Sequence, residues 1–314
     1  MSDKKNEREA QMKTITKTIR LAFAVVVALG AVTADGAPGD LFVSVNGPYV
    51  NGAGSINQYK PNGRHRAFAS GLSQPRGVTF DRFGNLFVTN NTCDTTCQLT
   101  IVKITPNGVQ STFATLSGDL YGEDLAFDRA GNLFVMAQDD TSPIFASTIY
   151  KFTPDGAQST FGSLPGAGFG LAFDRAGNLF AVNAAHEAAI YKFAPDGTQT
   201  IFVGPTAFDP DHFPVGLAFD RTGNLFVSLY SGDTPCSNDR IIKFTPDGVG
   251  SDFTTDVCAP RGLAFDRSGN LFVAERGWPP PGDILKFTPD GIRTVFAVVP
   301  GDVATGPQFL AIQR

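Results

Sequence analysis

A twelve-residue stretch, Gly262-Leu-Ala-Phe-Asp-Arg-Ser-Gly-Asn-Leu-Phe-Val273, recurs in near copies along almost the whole chain. The Asp of its Phe-Asp-Arg falls at Asp81, Asp128, Asp174, Asp220 and Asp266, at spacings of 47, 46, 46 and 46 residues. A period of about 40 to 50 residues marks one stacked or closed array of a small supersecondary unit, because each unit buries its apolar faces only against its neighbours. That overrides the two-domain prior that 314 residues would otherwise set.

Each period carries a second element, typified by Ile149-Tyr-Lys-Phe-Thr-Pro-Asp-Gly156, with relatives beginning at Ile56, Ile101, Ile190, Ile241 and Ile284. A third follows it, centred on one aromatic: Phe68, Phe113, Phe161, Phe202, Phe253 or Phe296. The segments between are short, rich in Phe, Val, Ile, Leu and Thr, and bounded by Gly, Asn, Pro and Asp, which is how strands read. Four strands per period result. Asp-Arg-x-Gly-Asn links the first to the second, and Pro-Asp-Gly or Pro-Asn-Gly the third to the fourth. Both are tight turns, with Asp bonding its own backbone and Gly accepting positive φ.

The first two strands lack clean polar–apolar alternation, so both faces of each small sheet must be covered by neighbouring sheets. Radial packing of four-stranded blades meets that demand, with the Ala of Leu-Ala-Phe expected near the crowded axis. The chain enters at Asp40-Leu-Phe-Val43, a second strand without a first, and leaves at Gly306-Pro-Gln-Phe-Leu-Ala311, a first strand without a second. Together they complete one blade. The prediction is an all-β, six-bladed β-propeller of antiparallel blades: 41–68 with 306–311, 77–114, 124–162, 170–203, 216–254 and 262–297. Of the 28 Phe residues, 22 fall in or align with these strands and are then core.

Residues 1–34 read as an export signal: basic Lys13, Lys17 and Arg20, an apolar run from Leu21 to Leu29, and Val32-Thr33-Ala34 as the cleavage site. Met12 is an alternative start. Removing this segment's six basic and three acidic groups takes the net charge from −5 to −8, and leaves residues 35–314 as one domain without a membrane span. An acidic chain disfavours nucleic acid as a partner. Export permits disulfides. Four cysteines allow three pairings, of which Cys93–Cys97 within one loop, with Cys236–Cys258, is the natural set. Cys93-Asp-Thr-Thr-Cys97 lacks the second close Cys or His pair that a metal site needs.

The run Gln74-Pro-Arg-Gly-Val78, continuing as Phe80-Asp-Arg-Phe-Gly-Asn-Leu-Phe-Val88, resembles the NHL repeats and their six-bladed relatives. So do Asn238-Asp-Arg-Ile241 and Phe244-Thr-Pro-Asp-Gly248. Those relatives are the gluconolactonase-like family related to senescence marker protein, and the streptogramin lyases. The resemblance spans residues 41–311 and implies the fold, not an activity. Gluconolactonase-like enzymes imply oxygen ligands for a divalent cation just before each first strand; streptogramin lyases imply a His base.

On an up-and-down blade the tight turns share one face, while the loops between second and third strands and the blade-to-blade crossovers share the other. The second face varies in length and is where binding loops are expected. One ring around its mouth is predicted from the residues preceding each first strand: Arg76, Glu123, Phe169, Val215, Arg261 and Thr305. Another comes from residues after each second strand: Val45, Asn90, Ala137, Asn183, Leu229 and Glu275. Arg76, Glu123, Arg261, Glu275, Asn90 and Asn183 are the candidate ligand-binding residues. They suit a small anionic or zwitterionic ligand, or an acidic protein loop, with no cofactor and a monomeric, periplasmic or extracellular setting. Glu123 is the one oxygen ligand left for a cation in the first ring, so a metal-dependent lactone hydrolase or ring-opening lyase is the alternative. His65, His186 and His212 show no spacing with a nucleophile, and Asp139, Asp140, Asp211 and Glu275 lack a regular Ca²⁺-binding interval.

Overall fold

The computed structural model describes residues 38–47, 51–184, 187–209, 211–231, 236, 238–276, 282–299 and 306–313. The segment read as an export signal, His186, Thr305 and Trp278 lie outside the described residues.

Six four-stranded antiparallel sheets hold 24 strands. Blade one has β1 (Leu41–Val45), β2 (Gly54–Tyr59) and β3 (His65–Leu72). Blade two is β4 (Gln74–Phe80), β5 (Leu86–Cys93), β6 (Cys97–Ile104) and β7 (Gln110–Thr115). Blade three is β8 (Leu120–Phe127), β9 (Leu133–Asp139), β10 (Ser147–Phe152) and β11 (Gln158–Leu164). Blade four is β12 (Gly168–Phe173), β13 (Leu179–Asn183), β14 (Ala189–Phe193) and β15 (Gln199–Val203). Blade five is β16 (Phe213–Phe219), β17 (Leu225–Tyr230), β18 (Arg240–Phe244) and β19 (Gly250–Thr254). Blade six is β20 (Pro260–Phe265), β21 (Leu271–Glu275), β22 (Gly282–Phe287) and β23 (Arg293–Val299).

The last strand, β24 (Pro307–Ile312), pairs with β1 as the innermost strand of blade one, with Phe42 opposite Ala311 and Val43 opposite Leu310. The inner strands then touch in a closed cycle: β24, β4, β8, β12, β16, β20 and back to β24. This is the six-bladed propeller that the repeat predicts.

The repeated residues do the work expected of them. In the inner turn of blade two the Asp81 carboxylate accepts the N–H groups of Phe83 and Asn85, each at 2.8 Å, and the Asn85 side-chain amide at 2.7 Å. The Asp–Asn clasp recurs at Asp128, Asp174, Asp220 and Asp266. Gly84 beside it has φ +79°, a conformation that few other residues adopt at little cost.

Between blades, the second-strand Phe sits edge-on between two others. Phe87 meets Phe113 of its own outer strand at 5.2 Å and Phe127 of the next blade's inner strand at 5.0 Å. The same triad forms around Phe42, Phe134, Phe180 and Phe226. Each such edge-to-face pair contributes about 0.5–1.5 kcal/mol beyond burial itself. Outer strands differ from the inner ones: β7 and β19 present mostly exposed or half-buried residues, because no further strand covers them.

One feature departs from the sequence pattern. Five of the six inner strands begin earlier than predicted, and all six carry a bulge, so two of their residues face one on the second strand. The paired residues are Arg76-Gly77, Glu123-Asp124, Phe169-Gly170, Val215-Gly216, Arg261-Gly262 and Gln308-Phe309. The bulge breaks alternation, which is why these starts were hidden. It also corrects one expectation. The sixth member of the first ring is Gln308, not Thr305. Bulge glycines bring neighbouring blades close together: a side chain on Gly77 would run into the Glu123 carbonyl, and one on Gly216 into that of Arg261.

Candidate functional site

The six bulges place one side chain from each blade around the ring, and the ring divides by chemistry. Gln308, Arg76 and Glu123 form a polar arc. Arg76 Nη1 donates to Gln308 Oε1 at 3.3 Å and lies 3.5 Å from Glu123 Oε2, while its Nε donates to the Tyr121 hydroxyl at 3.0 Å. Tyr121 passes its own proton to Gln74 Oε1 at 2.9 Å. Glu123 is buried, and desolvation pushes its carboxyl up from the ordinary range, opposed by the guanidiniums of Arg76 and then Arg261. Behind it Asp124 accepts the backbone N–H groups of Leu125 at 2.8 Å and of Leu171, in the next blade, at 2.9 Å. Burial still holds Asp124 up at about 7.

Phe169 and Val215 form the apolar arc. Val215 shares an apolar cluster with Phe42 and Phe309 from blade one, with Phe169 and Tyr230 packed against it, so side chains meet across the ring.

Over this arc lies a cavity of about 600 Å³. Its walls come from the loop after β9 (Ile144, Phe145), the crossover before β12 (Pro165, Ala167) and the loop after β13 (Ala184, Glu187), all on the variable-loop face. Tyr191, Phe213 and Tyr230 complete an aromatic lining. Ile144, Phe145 and Phe213 are exposed at its rim, 58%, 47% and 42% accessible. Phe145 has φ +52°, a left-handed conformation that bulky residues rarely adopt, fixed by its N–H to the Ser142 carbonyl at 3.0 Å.

Two buried polar residues belong to the wall of this space. Arg261 is 9% exposed, and its Nε has no hydrogen-bond partner; the guanidinium carbon sits 5.6 Å from the Tyr230 ring centre. Desolvation, with the charges of Arg76 and Arg276, pulls it down to about 9, against the weaker pull of Glu123 and Tyr230. Asn183 is 1% exposed; its Nδ2 donates to the Glu187 carbonyl at 3.2 Å, which leaves Oδ1 as an acceptor without a donor.

Of the six sequence candidates, Arg261 and Asn183 line this cavity, and Arg76 with Glu123 pair in the opposite arc. Asn90 and Glu275 serve the loops. Asn90 Oδ1 accepts the Ser73 N–H at 2.7 Å, and Glu275 accepts the Cys258 N–H; burial pushes Glu275 up to about 7 despite that bond. Asp239, buried and not among the sequence candidates, accepts the Ala259 N–H at 2.6 Å with one oxygen and the Ser231 N–H at 2.8 Å with the other. The disulfide Cys236–Cys258 closes the same crossover, which runs directly into Arg261. Cys93–Cys97 joins the last facing residues of a long hairpin between β5 and β6, so the loop expected there has only three residues. Gln308 was findable by setting Leu310-Ala311 against Leu263-Ala264, which puts it level with Arg261. Tyr121, Tyr191 and Tyr230 carried no such signal.

The ring does not fit a divalent cation. Its single carboxylate, Glu123, lies between two guanidiniums, and both oxygens of Asp124 are engaged with backbone N–H groups. Among the described residues Cys97, Asp119 and Asp140 converge, but the Cys97 sulfur is tied up in a disulfide and Asp119 Oδ1 accepts the Cys97 N–H at 2.5 Å. Asp139 binds the hydroxyl and N–H of Thr141. His65 stacks on Tyr59 at 5.2 Å on the tight-turn side, and His212 is buried with neither ring nitrogen hydrogen-bonded, its Nδ1 3.9 Å from Asp209.

No family model matches the sequence, and no curated protein is matched by it. Solved structures do match. Virginiamycin B lyase from Staphylococcus aureus is 18% identical with a TM-score of 0.54, over 75% of this chain and 73% of that one. A gluconolactonase from Xanthomonas campestris is 19% identical with a TM-score of 0.55, over 77% and 84%. TolB from Acinetobacter baumannii is 12% identical with a TM-score of 0.64, over 88% of this chain and 66% of its own. The chain shares their propeller fold. At such identities fold is all that the likeness carries, since one propeller scaffold hosts unrelated functions. What this propeller does rests on its own cavity.

Proposed function

We propose that this propeller is an exported binding module that takes a small anionic ligand into the cavity over blades three to six. The observation that carries the reading is Arg261: a buried guanidinium, with Nε unpartnered, in the wall of a largely apolar cavity of about 600 Å³. That volume lies within the range of about 300–1,000 Å³ usual for small-molecule sites. Burying a cation without a full set of partners is costly, and an anion arriving from solvent supplies what is missing. The two disulfides and the basic–apolar segment at residues 13–29 support export. The guanidiniums around Glu123 weigh against a metal-dependent lactonase.

A thermal-shift screen of chemically assorted small molecules tests this, run on the parent chain and on Ala167→Trp, which places an indole in the cavity mouth. Hits on the parent should be lost in the variant. Hits that bind both equally would place the binding site elsewhere, and turnover of lactones with added Ca²⁺, Mn²⁺ or Zn²⁺ would favour the enzyme instead.

A further inference from the structure

On the tight-turn face, opposite the cavity, blades one and two differ from the other four in charge. Their turns between third and fourth strands read Pro61-Asn62-Gly63 and Pro106-Asn107-Gly108, where blades three to six place Asp155, Asp196, Asp247 and Asp290 at the central position. Fewer acids then oppose the basic groups. Arg64 and Arg82 are exposed there, and among the described residues neither makes an ion pair. Beside them stand Phe83, at 71% accessible the most exposed large apolar residue of those described, and Val109, at 58%. The pieces form one patch. A Cβ on Gly84, next to Phe83, would lie 3.7 Å from Pro106 Cγ in the turn that leads to Val109, and 3.5 Å from Gln313 Nε2 in the inner turn of blade one. The Arg82 guanidinium carbon sits 4.8 Å from the Phe83 ring centre, so cation and aromatic ring leave the surface as a pair.

We propose that this patch docks the propeller on a membrane surface of anionic lipid, with Arg64 and Arg82 at the headgroup phosphates and Phe83 and Val109 entering the interface. Basic groups gain from the surface potential of such a membrane, and apolar side chains beside them gain by leaving water. A soluble polyanion would match the arginines but leave both apolar tips in water. A lipid interface also accepts side chains that project from turns without needing a matching pocket. Val249 and Ile292 hold the position of Val109 in blades five and six, but each follows a turn Asp by two residues, and a carboxylate so close opposes insertion at an anionic surface. Residues 35–314 carry a net charge of −8, so the same membrane repels the other faces and leaves the cavity turned to solvent.

Vesicle co-sedimentation tests the assignment. All 24 strands lie within residues 41–312, so the protein lacking residues 1–34 is used, which removes the apolar run from Leu21 to Leu29 as a competing anchor. It should sediment with vesicles of mixed phosphatidylcholine and phosphatidylglycerol, less so as salt is raised, and stay in solution with phosphatidylcholine alone. Phe83→Ser should weaken binding at least about 10-fold, and Arg64→Gln and Arg82→Gln about 5-fold each. Val249→Ser, at the matching turn of blade five, should change nothing; circular dichroism confirms that each variant folds. Equal binding to phosphatidylcholine alone overturns the role of the arginines, and an unaffected Phe83→Ser or an equally weakened Val249→Ser overturns the patch. Retention on heparin that depends on Arg64 and Arg82, with no vesicle binding, would assign the patch to a soluble polyanion and overturn membrane docking, as would binding to neither.

Discussion

At the scale of single residues, the cavity is held in a costly state. Arg261 is buried and short of partners, so exchanging it for an apolar side chain of similar length removes an uncompensated desolvation penalty. Arg261→Met is expected to raise the stability of the ligand-free protein by about 1–2 kcal/mol, measured by chemical denaturation, while abolishing acid-selective binding. A drop in stability would mean that Arg261 is a structural residue. Phe145 carries a similar cost in its backbone: Phe145→Gly relieves a left-handed conformation by about 1 kcal/mol and should weaken binding of the ligands that Ala167→Trp excludes. Asp124 sets a pH dependence. Its folded pKa, about 7, lies above its ordinary value near 3.8, so the folded state holds the proton more tightly and stability falls as pH rises from about 4 to 7. The slope from this one group reaches about 1.4 kcal/mol per pH unit, and Asp124→Asn should flatten it in denaturation curves taken across that range. Arg261 and Glu123 were legible as ring positions from the repeat alone. That one faces a cavity and the other is paired with Arg76 was not, because partners come from other blades.

At the scale of strands and turns, most of the fold was legible because local chemistry and long-range packing agree. Asp-Arg-x-Gly-Asn makes its own turn, and the strands it joins are apolar on both faces because blades cover both. The inner-strand starts were not legible, since a bulge inserts two residues against one and interrupts the pattern just where the site residues stand. The bulge glycines permit the blades to touch. Gly216→Ala would drive a methyl group into the Arg261 carbonyl and is expected to destabilise by about 1–3 kcal/mol in denaturant titrations, with a matching loss of ligand affinity. The crossover bearing Arg261 is fastened by Glu275, Asp239 and the Cys236–Cys258 disulfide, which spans 22 residues. Replacing both cysteines by Ser should lower stability by about 3 kcal/mol and weaken binding beyond what that loss of stability explains. Unchanged affinity would show that the clasp does not position Arg261.

For the whole molecule, closure is what allows a cavity to sit off the axis. β24 completes blade one and seals the cycle of inner strands, so side chains such as Val215 and Phe309 fill the ring from different blades and leave the opening to one side, over blades three to six. The repeat made the closed ring legible. It could not show an off-axis cavity, because that arises where Phe169 and Val215 replace the polar side chains of the other arc, and where Tyr191, Phe213 and Tyr230 come together from separate strands. The central claim is that a ligand occupies this cavity with its acid on Arg261. The most direct measurement is a crystal structure of the propeller bound to the tightest hit of the screen. The account predicts a carboxylate within hydrogen-bonding distance of the Arg261 guanidinium, with the apolar part between Phe169 and Phe213. A ligand found in the Arg76–Glu123 arc or on the tight-turn face, with the cavity holding only water, would contradict it.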